Sequence, residues 1–241
     1  MSTQEHTIEE YFPTEPWLET YGQQLDNSDR LSQTGSGWGV GWEGGMVFHI
    51  QNVPLSGRTI ADLPEELVAL IEDTLDSLSD DRVEEIVAAA SEDVRADIEA
   101  RSGTLREQAR AELLEMPLDE SSERMWPELE YEVPPILLEL IEQTEAHIVD
   151  GSTVFTYLGL HDGGCPEVDI LTSLDDREYG FVITGEYEQW KALVNGDANV
   201  INQIMSGDME VDGDMQKILQ YSDAAVVMTE TSAEMDSRFL F

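Results

Sequence analysis

The segment GEYEQWKALVNGDANVINQIMSGDMEVDGDMQKILQYSDAAVVM, Gly185–Met228, poses the problem of this protein. It carries one Trp, four Met and many Leu, Ile and Val at helical spacing, and is cut into short pieces by Asn-Gly, Ser-Gly and Asp-Gly. YEQWKALVNG and ANVINQIMSG read as two short helices, each ended by a glycine. An extended MEVDG follows, then a helix DMQKILQ and a strand AAVVMTE. The apolar set is Trp190, Leu193, Val194, Ile201, Ile204, Met205, Met209, Val211, Met215, Ile218 and Leu219. By spacing alone it reads as a packed core. Its short helices and methionines, which adapt to irregular apolar partners, soften that reading, since a cavity lined this way would suit a long aliphatic ligand.

Working outward, STVFTYLGL, PEVDILT and EYGFVITG are three strand-like runs, joined by HDGGC and SLDDR as hairpin-type connections. Near the other end, PWLETYGQQLDNSD starts a helix at Pro16 with Trp17, Leu18, Tyr21 and Leu25 on one face. GSGWGVGWEGGMVFHIQ then turns into a strand in which Met46, Phe48 and Ile50 alternate with Val47 and His49. Between these zones, about 60–150, the chain is helical and intensely acidic. Leu67, Leu70, Ile71, Leu75 and Leu78 recur at helical period, and Val83, Ile86, Val87, Ala90, Val94 and Ile98 read as a further helix stopped by Ser102-Gly103. Thr104 and Glu107 form a capping box for the next. Ile136, Leu137, Leu140, Ile141 and Ile148 make the last amphipathic helix, closed by Asp150-Gly151. One antiparallel sheet with helices on one face is the natural α+β arrangement.

With 241 residues the chain is long enough to bury a real core. It has 52 Asp and Glu against 12 Lys and Arg, a net charge of -40. Such a surface repels itself until salt screens it, the Debye length falling to ~3 Å at molar ionic strength. The sequence therefore reads as halophilic, with an acidic surface suited to a salt-rich cytoplasm. Nucleic-acid binding needs clustered Lys and Arg, and stable docking on an anionic membrane needs a basic patch; neither is present. Cys165 is the only cysteine, so no intrachain disulfide forms. The opening MSTQEHTIEEYFPTEPW lacks the basic and apolar regions of a signal peptide, and no apolar run approaches the ~20 residues of a membrane span.

No catalytic motif stands out. Gly39, Gly41 and Gly44 match G-x-G-x-x-G, but a strand follows them where a dinucleotide site needs a helix, so they read as turn glycines. DMEVDGD resembles the opening of a calcium loop, but its twelfth position is Leu219 where a bidentate Glu is required. His161, Asp162 and Cys165 share one turn, and His6, His49 and His147 are scattered without ligand spacing. No metal, cofactor or catalytic residue is expected.

The residues do resemble a known family. Trp190, Gly196, Met205-Ser206-Gly207, Gly213-Asp214-Met215 and Leu219 are similar to the C-terminal signature of sterol carrier protein 2 (SCP2-like) lipid-binding domains. WLETYGQQLDNSD, GWGVGWEGGMVFHI and VFTYLGLHDGGC resemble upstream pieces of prokaryotic members. The resemblance covers about 10–56 and 150–241. It implies a five-stranded, mostly antiparallel sheet with helices on one face and an apolar tunnel for a lipid. The strands would be about 45–50, 153–160, 167–172, 179–184 and 224–229. It also implies an SCP2-like lipid-binding domain of 1–56 and 151–241, interrupted by an acidic all-helical insertion, 57–150, outside the family pattern. Phe155, Phe181 and Ile183 join the apolar set as candidate pocket residues. The final SRFLF is no peroxisomal address, which fits a prokaryotic cytoplasm.

Three readings follow. The first is non-enzymatic binding or transfer of a hydrophobic lipid, whether isoprenoid, fatty acyl or sterol-like. With Arg177, Lys191 and Lys217 the only basic residues between Arg124 and Arg238, a neutral ligand such as an isoprenoid, quinone or fatty alcohol is favoured. The second is an interaction or oligomerisation module, its helical insertion binding a partner protein or a second copy. The third is an enzyme using His161 or Cys165.

Overall fold

The computed structural model describes residues 7–241, with residues 122 and 123 given by backbone alone. In chain order its elements are β1 (Tyr11–Phe12), α1 (Glu15–Asp26), α2 (Asp29–Thr34), β2 (Met46–Gln51), α3 (Glu65–Ser77), α4 (Asp80–Ala89) and α5 (Glu92–Glu99). Next come α6 (Leu105–Leu114), α7 (Ser121–Arg124), α8 (Pro135–His147), β3 (Val154–Leu158), β4 (Val168–Leu171) and β5 (Phe181–Glu186). The last are α9 (Tyr187–Val194), α10 (Val200–Ser206), β6 (Glu210–Asp212), α11 (Met215–Gln220), α12 (Ser222–Ala233) and β7 (Arg238–Phe239). They form two compact units: Met1–Val53 with His147–Phe239, and Pro54–Ala146 with Leu240–Phe241.

The first unit is an α+β structure around a five-stranded sheet of order β4-β3-β2-β5-β6. The β2–β3, β3–β4 and β5–β6 pairs are antiparallel, and β2–β5 is parallel. Side chains alternate across each strand. Met46, Phe48 and Ile50 therefore share one face with their β5 partners Phe181, Ile183 and Gly185. Helices of the unit pack on this face. Gly22 lets α1 approach β4 closely, for a Cβ there would come within 2.5 Å of Val168. From α9, the Trp190 ring lies 4.6 Å from that of Phe48. The opposite face carries only a small cluster, Val47, Tyr157, Leu171 and Val182, flanked by Phe155, Leu174 and Tyr179.

Two expectations are corrected in this unit. Residues 224–229 are not the fifth strand but lie inside α12. Ala224, Val227 and Met228 are the buried positions of that run, at three- and four-residue spacing, and Ala and Met favour helix. The fifth strand is instead β6, within the extended MEVDG segment. SLDDR, moreover, is not a hairpin. The chain leaves β4 at one edge and β5 pairs with β2 on the far side of β3, which sets Phe181 and Ile183 beside Met46 and Phe48. Strand propensity marks where strands lie but not which ones pair.

The second unit is built of helices. The expected helix through Val83–Ile98 is broken at Ala90, where the Ser91 hydroxyl accepts the Val94 N–H at 3.3 Å and opens α5. Ser and Asn form such caps because their oxygens satisfy orphan N–H groups of the first turn. The Thr104–Glu107 box forms, with the Glu107 carboxylate accepting the Thr104 N–H at 2.8 Å. Leu67, Ile71, Ile86, Ile98 and Leu113 are buried. Beside them Glu112, only 4 % exposed, accepts from Arg101 at 2.7 Å and Arg124 at 3.1 Å. Arg82 holds Glu85, Glu128 and Glu132.

Candidate apolar ligand site

The helical face of the sheet does not close completely against its helices. A cavity of about 60 Å³ lies between β2, β5 and α1, α9, α10 and α12. A second of about 40 Å³ lies towards α2 and the 160–164 turn. Both are walled by Met46, Ile218, Ala225 and Met228, the four residues they share.

Of the sequence-predicted residues, Ile183, Trp190, Leu193, Val194, Ile201, Ile204 and Ile218 line the larger cavity. The others stand elsewhere. Phe181 packs against Trp38 and Trp42, with ring centroids 5.0 and 5.9 Å away. Met209 is buried against Gly185, Val211 pairs with Ile183 on β6, and Met215 begins α11 half-buried. Met205 and Leu219 are 66 % and 45 % exposed, so neither lines a cavity. Phe155 lies on the opposite sheet face, its ring 4.7 Å from His49, because it is one residue out of step with Val154 and Thr156.

Sequence reasoning missed Phe12, Tyr21 and Trp17 as lining residues, and also Met46, Phe48 and Met228. The one-face pattern of Trp17 and Tyr21 and the alternation of Met46 and Phe48 were the available signals. Reading 224–229 as a strand hid Ala225, Met228 and Thr229, and Ser232 just beyond it was not singled out.

Most polar groups on these walls are already engaged. The Trp17 indole donates to Ser237 Oγ at 2.9 Å, and Trp38 Nε1 donates to the Gly44 carbonyl at 2.7 Å. Tyr21 Oη donates to the Met228 carbonyl at 3.0 Å, and burial pushes the phenol pKa up. Thr229 and Ser232 hydroxyls bond back to helix carbonyls. Trp190 Nε1, in contrast, is buried without an acceptor among the described residues. Neither lysine lines the walls. Lys191 pairs with Glu188 at 3.1 Å, and Lys217 sits 3.4 Å from the centre of the Trp42 ring.

The residues once considered for catalysis are built into turns. Asp162 and Gly163 adopt left-handed φ of 46° and 80°, and Asp162 Oδ1 accepts the Gly37 N–H at 2.8 Å. The Cys165 N–H donates to Asp26 at 3.0 Å. Its buried thiol is pushed up to about 12, by burial first and the nearby Asp26 second. Burial and the raised pKa both disfavour the thiolate that a cysteine nucleophile needs. His161 borders the smaller cavity. His49 is on the far sheet face, its pKa lowered by burial, His147 stands 3.6 Å from Glu15, and His6 lies outside the described residues. Gly39 and Gly41 have positive φ and precede β2. Asp214 caps α11 through the Gln216 N–H. Among the described residues no three His, Cys, Asp or Glu could hold a metal ion. No helix among them is long and apolar enough to cross a membrane.

Residues 148–226 match the SCP-2 sterol transfer family. The match takes in β3 to β6 and α9 to α11, with the first part of α12. No curated protein matches the chain. Among solved structures, one titled "Crystal structure of sterol carrier protein 2" is 13% identical with a TM-score of 0.45, over 92% of this chain and 97% of its own. The solution structure of a conserved hypothetical protein from Thermus thermophilus, "possibly sterol carrier protein", is 14% identical with a TM-score of 0.47, over 93% and 90%. At these values neither neighbour says what this chain binds.

Proposed function

We propose that the chain binds a hydrophobic lipid, without covalent chemistry, between the helical face of the sheet and α1, α9, α10 and α12. The observation that carries this reading is the pair of apolar cavities. They share only Met46, Ile218, Ala225 and Met228 as a wall, and they lie in a unit whose second half matches a sterol transfer family. Ile183, Trp190, Leu193, Val194, Ile201, Ile204 and Ile218 are the proposed contacts.

The cavities are well below the ~300–1,000 Å³ of ligand pockets, so a lipid enters only if the wall gives way. Met46 and Met228 are unbranched and re-pack readily. Helices α10 and α11, of seven and six residues, have few turns to hold them in place. Enclosing a dozen methylenes gains on the order of 10 kcal/mol gross at ~0.8 each, from which several kcal/mol of association and ordering cost is lost. Micromolar or tighter binding remains. The surface charge supports a salt-rich cytoplasm as the setting. We further propose 57–150 as an insertion in an SCP2-like domain of 1–56 and 151–241, available to a partner protein or a second copy.

The small volume of the cavities favours one second reading, an interaction module whose interior stays packed. A thermal melt of the full chain in molar salt, with and without phytol, separates the two. A ligand bound only by the folded state adds about 2.7 kcal/mol at a hundred times its Kd, so the melting temperature rises with phytol. No rise with phytol, a fatty alcohol or an acyl-CoA sinks lipid binding; tighter binding of acyl-CoA than of phytol sinks the preference for a neutral ligand.

A further inference from the structure

Three indoles line the two cavities, and two of them are committed. Trp17 Nε1 donates to Ser237 and Trp38 Nε1 to the Gly44 carbonyl. Trp190 is the third. It is 4 % exposed, it borders the larger cavity, and its Nε1–H has no acceptor among the described residues. An indole nitrogen is a donor only, and a buried donor without a partner is costly enough that native structures rarely keep one. Its position is fixed from below by the Phe48 ring at 4.6 Å. The cavity it borders is lined by aliphatic and aromatic side chains, and the hydroxyls among them, of Tyr21, Thr229 and Ser232, already donate to backbone carbonyls.

We infer that Trp190 is the polar recognition point of this site, and that the ligand carries an uncharged oxygen, of an alcohol, ketone, quinone or ester, which accepts the Nε1–H. The inference rests on the lipid-binding reading and narrows it to oxygenated lipids over pure hydrocarbons. The oxygen is uncharged because a buried carboxylate or phosphate needs a cation. Lys191 is paired with Glu188 and Lys217 is stacked on Trp42, both away from the cavity wall. One uncommitted donor among apolar walls and engaged hydroxyls suits one acceptor at the end of a long apolar body.

The test uses the full chain and two probes of equal length, tetradecanol and tetradecane. Their affinities are measured for the wild type and for Trp190→Phe, which keeps an aromatic ring against Phe48 and removes the donor. One hydrogen bond corresponds to about a three- to tenfold change in affinity, so the tetradecanol-to-tetradecane affinity ratio falls by that factor in the variant. A second measurement does not depend on the variant's folding. In the wild type, one of the five indole N–H resonances moves downfield with tetradecanol and stays in place with tetradecane. If both probes bind but the ratio and the indole resonances are unmoved, the N–H is satisfied by water or the Phe48 ring; this inference then falls and lipid binding stands. If neither probe binds, lipid binding itself falls.

Discussion

Between Pro54 and Ala146 lie 26 of the 52 acidic residues and seven of the 12 basic ones, all of those seven arginine. In this second unit the arginines reach inward and across. Arg101 and Arg124 converge on the buried Glu112, Arg82 gathers three glutamates, and Arg106 donates to the Leu75 and Leu78 carbonyls. The first unit carries a similar excess of acid but keeps charge out of its interior. There an aromatic and aliphatic layer, from Phe12, Trp17 and Tyr21 to Phe48 and Trp190, lies on the sheet. The arginines of the second unit relieve some of its self-repulsion, and Arg106 ties down the C-terminal end of α3. The first unit leaves its sheet face apolar, and there two cavities survive. An apolar interior with cavities and a charge-stapled bundle are different answers to one excess of acid.

The comparison breaks if the first unit does not depend on apolar packing. Ile50 is fully buried on the helical face of β2; Ile50→Ala is expected to cost about 4 kcal/mol, transfer and cavity together, as read by denaturant unfolding. A cost below about 1 kcal/mol would mean that the helices collapse freely onto the sheet. The matching test in the second unit is Glu112→Gln, which leaves two arginines facing a neutral group. A loss of about 2 kcal/mol is expected, seen as faster amide exchange in α6. The loss persists in molar salt because buried pairs are weakly screened. Equal exchange in variant and wild type would reduce the staple to surface decoration.

The smallest effect concerns Cys165. Its thiol is raised from the ordinary range to about 12, first by burial and then by Asp26. A raised folded pKa stabilises the fold fully below the unfolded value of ~8.5 and less and less as pH climbs towards 12. Alkylation of the native chain should therefore stay slow through about pH 10 and become fast on unfolding. Rapid native labelling at about pH 8 would contradict the buried, neutral thiol.

The strands at Met46–Gln51, Val154–Leu158, Val168–Leu171 and Phe181–Glu186 were legible because alternation and turn residues mark them locally. Their pairing was not. Nothing in SLDDR says that β5 crosses to the far side of β2, since parallel pairing is decided by which faces bury together. Ala224–Met228 shows the limit of a short apolar run, which periodicity alone cannot divide between strand and helix. That ambiguity cost the site its α12 wall. Trp190 and Ile204 were legible as apolar positions of helices, and they line the cavity. Met205, one residue along from Ile204 on α10, and Leu219, one along from Ile218 on α11, point out. Phe155 was misplaced by a single step of strand parity. The uncommitted donor on Trp190 was invisible in sequence, because only the packed neighbours reveal that Trp17 and Trp38 have acceptors and Trp190 has none among the described residues.

The central claim, that the first unit holds a lipid against its sheet, is met most directly by mass spectrometry of organic extracts. The full chain would be purified from its native host in molar salt, with Ala225→Phe alongside. Ala225 borders both cavities, so a phenyl ring there occupies the wall that has to part. The account predicts one dominant lipid, bearing a neutral oxygen and near-stoichiometric in the wild type, and sharply depleted in the variant. An empty wild-type extract across growth phases, or equal loading of both proteins, would contradict it.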